Sequence, residues 1–345
     1  MESPLKSLIS SGTKLWIDSI DPALVAKNRK LGATGATSNP IIVADLLKSG
    51  DWHPQMKKFA SQGQSAEQIA WSMTNFLVEE AEKVFLPVYE KTKGDDGFVS
   101  FELDPLIEDG EQSSSHNDKV KQYVELGNKW SLDHPNRMIK VPATPAGIDA
   151  LEELAAAGIK INVTLIFSES QYQNARNAVW RGAQRRKNLD SFKSVYSIFV
   201  SRLDVYSEKY AKNLGSAQGY LGILNAKRIW KQNEEFWKSK NLKLSQEMIF
   251  ASTGTKNPED PAWKYVAALA GSDIETNPPT TNDAVEASGI EITSQIRQLP
   301  EPHIIDAIDA KVDFAHMEAT LMAEGLAKFA APQKALLKIV TDLIS

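Results

Sequence analysis

Lysine 140 stands in the run Met138-Ile139-Lys140-Val141-Pro142-Ala143-Thr144, where its immediate neighbours are apolar. Burying an ammonium is costly, because loss of water favours the neutral amine. A neutral lysine attacks a ketone and forms a Schiff base. Two acids, Asp18 in LWIDSI and Glu102 in VSFELD, sit equally late in apolar runs of their own. An amine with two carboxylates suffices for aldol chemistry. One acid moves the proton of the hydroxyl at the bond being broken, and the other, through water, serves the steps that make and unmake the imine. The competing reading is a structural ion-pair network of Lys140 with Glu102 or Asp18, which the strand alone leaves open.

Asn39 in ATSNP, Asn162 and Thr164 in INVTLIF, and Ser197 in VYSIFV are hydrogen-bonding groups suited to the hydroxyls of a sugar chain. Asparagine before proline is also ordinary turn chemistry, and Asn162-Val163-Thr164 is a glycosylation sequon that a buried strand makes irrelevant. Arg202, Ser252 and Lys256 follow late strands, where barrels often hold a phosphate, although each alone suits the surface. The basic cluster Arg181, Arg185, Arg186 and Lys187 lacks interleaved aromatics and reads as a solvated helix face. The five histidines show no metal-ligand spacing. G-x-G-x-x-G, Walker and G-x-S-x-G sequences do not occur.

These residues need elements to hold them. Eight β-rich runs are expected at Lys14–Ile20, Gly35–Asn39, Phe98–Asp104, Met138–Thr144, Lys160–Phe167, Ser194–Val200, Glu247–Thr253 and Asp273–Asn277. Helical patterns separate them, including Ala66–Lys91 and a helix after Phe167 opened by a Ser168/Gln171 capping box. Alternation of this kind signals βαβ units, and eight of them favour a (β/α)₈ TIM barrel with additional helices over an open doubly wound sheet. The additional segments are Asp45–Gly63, Ala211–Lys243 and Ile304–Ser345. No linker-like run or repeat appears, so residues 1–345 are expected to form a single domain.

Composition agrees. The chain has 345 residues, 42% hydrophobic and 24% charged, which supports a large core and excludes disordered and fibrous classes. A net charge of −5 gives no global attraction to nucleic acid or anionic lipid. Without cysteine there is no disulfide, thiolate nucleophile or cysteine-based metal site, which suits a reducing compartment, by default the cytoplasm. No apolar run reaches membrane-spanning length, and MESPLKSLISSGTK lacks a secretory core.

The segments LWIDSIDP, GATSNP, VSFELD, IKVPAT, INVTLIFS, SIFVSRLDVY and ASTGTKNP, in that order, resemble the class I transaldolases from Lys14 to Pro279. Asp313–Ala330 is similar to the family's terminal helix. The resemblance implies a (β/α)₈ fold with the imine lysine at Lys140, and Asp18 as the acid/base at the cleaved bond. It also implies that Glu102 and Thr164 hold the water of the carbinolamine steps. Asn39, Asn162 and Ser197 would bind the dihydroxyacetone unit, and Arg202 and Ser252 the phosphate. Lys256 stands where one branch of the family has arginine, keeping the charge as a point rather than a fork. Phe199 and Glu102 stand where the fructose-6-phosphate aldolases tend to have tyrosine and glutamine.

The expected activity is transfer of dihydroxyacetone from sedoheptulose 7-phosphate or fructose 6-phosphate to glyceraldehyde 3-phosphate or erythrose 4-phosphate, within the pentose phosphate pathway. No metal or organic cofactor is expected, since the protonated imine is itself the electron sink. The expected partners are small sugar phosphates, with neither nucleic acid nor membrane, and self-association into a homo-oligomer stays open. Three alternatives remain at this point: a lyase releasing free dihydroxyacetone, a transaldolase acting on sugar sulfonates, and a non-catalytic sugar-phosphate-binding barrel.

Overall fold

The structure, a computed structural model, describes residues 2–111 and 114–344. Eight parallel strands close into a barrel in sequential order. They are β1 (Lys14–Ile17), β2 (Gly35–Thr37), β3 (Val99–Glu102), β4 (Arg137–Pro142), β5 (Ile161–Ile166), β6 (Ser194–Phe199), β7 (Glu247–Ala251) and β8 (Ile274–Asn277). β8 returns to β1 in register, from Lys14 opposite Ile274 to Ile17 opposite Asn277. The architecture is the (β/α)₈ barrel, with helices between successive strands.

All eight expected strands are present; β8 ends at Asn277 as expected, and the other seven are trimmed at their C-terminal ends, where the chain turns toward the next helix. After β1 the Asp18 N–H still bonds the Asn277 carbonyl at 3.0 Å, and Asp21 then caps helix Pro22–Lys30. Asn39 likewise leaves β2 to cap Pro40–Lys48. Helix Ala66–Lys91 has the expected bounds. The Ser168/Gln171 box is only half formed. Ser168 accepts from the Gln171 N–H at 3.1 Å, but the Gln171 side chain reaches one residue further back, to the Phe167 N–H at 2.9 Å.

The barrel interior is filled by Trp16, Phe98, Met138, Val195, Ile249 and Ile274, all fully buried. Gly35 makes room for the largest of them, since a Cβ there would lie 2.5 Å from the Trp16 ring. Outside, helix Phe314–Ile344 runs across the C-terminal mouth and packs on Pro40–Lys48 and Ala66–Lys91. Its first turn hangs on Asp313, which accepts from the His316 and Met317 N–H groups, both at 2.9 Å. The basic cluster is a solvated face: Arg181 pairs with Glu152 at 2.7 Å and Arg185 with Glu153 at 2.6 Å. Among the described residues no helix is long and apolar enough to cross a membrane.

The N-terminal end of the barrel is closed by charge. The fully buried Lys193 amine is 2.6 Å from Glu247 and 3.0 Å from Asp95, and Lys14 reaches Glu247 at 2.9 Å. Removing one partner of a buried pair strands the other charge. Glu247→Ala should therefore cost about 3 kcal/mol in urea unfolding. A loss below about 1 kcal/mol would mean that Asp95 alone satisfies Lys193.

Candidate active site

Parallel register sets three functional residues on one level. Glu102 of β3 is opposite Lys140 of β4, which is opposite Asn162 of β5. The Lys140 amine, in a residue only 5% exposed, donates to Glu102 Oε2 at 3.1 Å and to the Ser38 carbonyl at 3.1 Å. Asn162 is locked on both sides: its Nδ2 donates to Ser100 Oγ at 2.9 Å and its Oδ1 accepts from the Ser197 hydroxyl at 2.7 Å. Burial pushes the Glu102 carboxyl up from its ordinary value, against the pull of the Lys140 charge.

Asp18, immediately past β1, accepts from the Thr37 hydroxyl at 2.9 Å and makes a longer contact with Asn39 Nδ2 at 3.5 Å. Thr37 in turn lies 3.1 Å from the Thr276 hydroxyl. Burial raises the Asp18 carboxyl too, opposed by Lys140 and by the Thr37 bond. Asn39 divides its amide between two tasks. Its Oδ1 caps the following helix at the Ile42 N–H, 3.0 Å away, and its Nδ2 faces the acid. The turn reading and the binding reading of Asn39 are therefore compatible.

A cavity of about 450 Å³ opens over these groups. Its wall includes Asp18, Asn39, Lys140, Thr164, Ser197, Phe199, Arg202, Ser252 and Lys256. The buried Thr164 hydroxyl has no protein hydrogen-bond partner among the described residues, nor has Arg202 Nη1. Phe199 packs against Phe167 with ring centroids 5.5 Å apart and lies 5.0 Å beneath the Arg202 guanidinium. Burial lowers Arg202 and Lys256 from their usual values. Two non-glycine residues of the mouth have left-handed backbone: Leu165 with φ 56° and Ser252 with φ 57°. Such geometry costs about 1–3 kcal/mol and collects at functional sites.

Glu102 and Asn162 are one layer behind the wall and reach the cavity through Lys140 and Ser197. The remaining sequence-expected residues converge on the cavity itself. Reading strand ends missed the wall's other side. Thr37 and Thr276 come from β2 and β8, and Glu324, Lys328 and Phe329 from the terminal helix. The Phe329 ring lies 5.9 Å from the Lys140 amine and keeps that end of the cavity apolar. Nothing in the spacing of that helix marks these three, because a wall-forming helix has the same amphipathic pattern as any docked helix.

The family described as Transaldolase/Fructose-6-phosphate aldolase matches residues 15–340. A transaldolase of Kocuria rhizophila is 33% identical, covering 99% of this chain and 98% of its own length. A transaldolase of Thermobifida fusca is 32% identical over 100% of this chain and 99% of its own, and transaldolase 2 of Streptomyces avermitilis is 30% identical over 98% and 96%. With the barrel, the buried amine and the full-length match in agreement, the chain belongs to the transaldolase/fructose-6-phosphate aldolase family.

Proposed function

We propose that the chain is a transaldolase working through an imine on Lys140, acting as one unit with its terminal helix, in the cytoplasm on sugar phosphates of the pentose phosphate pathway. The observation that carries the mechanism is the buried Lys140 amine, 3.1 Å from Glu102 and open to the cavity that Asp18 borders. Passing one proton from Nζ to Glu102 turns a costly buried ion pair into two neutral groups. The freed amine adds to C2 of a ketose phosphate such as sedoheptulose 7-phosphate or fructose 6-phosphate. Loss of the carbinolamine hydroxyl as water, with Glu102 supplying the proton, leaves the protonated imine. The orphaned Thr164 hydroxyl is placed to hold that water.

Asp18 as carboxylate then takes the C4 hydroxyl proton. The C3–C4 bond breaks, its electron pair flows into the imine as an enamine, and an aldose phosphate leaves. An incoming aldose phosphate, glyceraldehyde 3-phosphate or erythrose 4-phosphate, accepts the enamine carbon while Asp18 returns the proton to the new hydroxyl. Water finally hydrolyses the imine. Asn39 and the Asn162–Ser197 pair suit the hydroxyls of the retained three-carbon unit, and Arg202, Ser252 and Lys256 the phosphate. Phe199 and Phe329 make the walls near the amine apolar, which protects the enamine from protonation by water and favours transfer over release of dihydroxyacetone.

Borohydride reduction with fructose 6-phosphate should fix a three-carbon adduct on Lys140, read by peptide mass mapping, and an adduct elsewhere would refute the assignment. Lys140→Ala should abolish turnover with the circular dichroism spectrum unchanged. Cleavage of fructose 6-phosphate should require an added aldose phosphate, and full cleavage without one would make the enzyme a lyase.

Asp18→Asn should lower kcat by about 10²–10⁴-fold, the usual size of one proton-transfer contribution, while the ketose still traps on Lys140. Because the raised Asp18 carboxyl must be ionised to act as base, kcat/KM should rise with pH through a limb above the ordinary aspartate value of about 3.9. A limb at or below that value would contradict the role.

A further inference from the structure

Three cations line one end of the cavity from three different elements: Arg202 after β6, Lys256 after β7, and Lys328 of the terminal helix. One carboxylate, Glu324, shares that wall and lies 3.9 Å from Lys328. The wall's other two charged groups, Lys140 and Asp18, are one of each sign, so four cations face two carboxylates and the cavity is two net positive. We propose that Lys328 is a specificity residue that matches the rim to a dianionic phosphate rather than to a monoanionic sulfonate. The inference deepens the transaldolase reading and rests on it.

The terminal helix is built to approach Arg202. At Gly325 a Cβ would stand a tight 3.1 Å from Leu165 Cδ2 and an ordinary 3.6 Å from Arg202 Nη1, so glycine spares Leu165 while the helix backbone passes beside the guanidinium. Glu324 precedes this contact and Lys328 follows it by most of a turn, which puts both at the same edge of the cavity. The Lys328–Glu324 ion pair is long, with side chains 54% and 41% exposed, a geometry that holds neither partner firmly. Lys328 is therefore available to a better anion. Lys256 is held below its ordinary value first by burial, then by the charges of Arg202 and Lys328. Like charges gathered without full compensation are relieved by an anion of matching charge, and a phosphate monoester carries about −1.5 to −2 near pH 7.

The test compares acceptors in the intact enzyme. In Lys328→Gln, KM for glyceraldehyde 3-phosphate should rise about tenfold with kcat within about threefold, as expected on losing a charge-assisted contact. KM for unphosphorylated glyceraldehyde should not move. Lys328→Arg should restore most of the loss, and Glu324→Gln should lower KM for the phosphate. In the wild type, KM for the phosphate should fall as pH rises through about 6, where the phosphate loses its second proton, and this fall should flatten in Lys328→Gln. A sulfonate analogue of the acceptor should lose less than the phosphate. An unchanged KM, or equal changes for glyceraldehyde and its phosphate, would overturn the proposal. Absence of transaldolase turnover in the wild type would instead remove the reading beneath it, so the two failures are distinguishable.

Discussion

The hydrogen bond from Lys140 to Glu102, buried between adjacent strands, is the constraint from which the site's other features follow. Parallel pairing brings the two residues level, and a slip of one residue in β4 would turn Lys140 from the barrel interior toward the surrounding helices. An ion pair removed from water is a poor source of stability, so its retention here needs another reason. Burial lifts the Glu102 carboxyl from its ordinary value, and the Lys140 charge beside it opposes that shift.

The two ends of the barrel answer the same electrostatic problem differently. At the N-terminal end Lys193 meets two acids and Lys14 shares them. At the mouth Arg202 Nη1 and the Thr164 hydroxyl have no protein partner among the described residues, and four cations face two carboxylates on the wall. The charged groups at the base suit stability, and those at the mouth suit a ligand.

How much of this was legible in the sequence depends on the element that carries each residue. Lys140, Thr164 and Ser197 stood out because a polar side chain interrupts an apolar strand, and Asp18 and Asn39 because they close an expected strand at the end where a barrel holds its site. Lys14, Lys193 and Glu247 carried a comparable signal at strand starts. Glu324, Lys328 and Phe329 did not, because their function arises from a helix packing across a barrel mouth that it meets only in three dimensions. The Ser168/Gln171 box was half right for a similar reason. The local motif specified the Ser168 cap, while the Gln171 side chain satisfied a deeper orphan, the Phe167 N–H.

The bulge in β5 ties the Lys140 end of the cavity to the Arg202 end. Strict alternation would send Leu165 outward after Thr164, but pairing with β6 shifts between Val163 and Ile166, and Leu165 takes a left-handed conformation. Thr164 and Leu165 consequently both turn inward, the first onto the cavity and the second into the interior cluster with Phe167 and Phe199. Leu165 is also the side chain that Gly325 must clear. One strained residue therefore places the Thr164 hydroxyl on the wall it shares with Lys140 and supports the helix that brings Lys328 to the rim. The strain persists because full burial of Leu165 and its packing beneath the terminal helix over-determine the backbone there. Relaxing the bulge would displace Thr164 and the Phe167–Phe199 packing beneath Arg202 together, which couples the two halves of the cavity through packing alone.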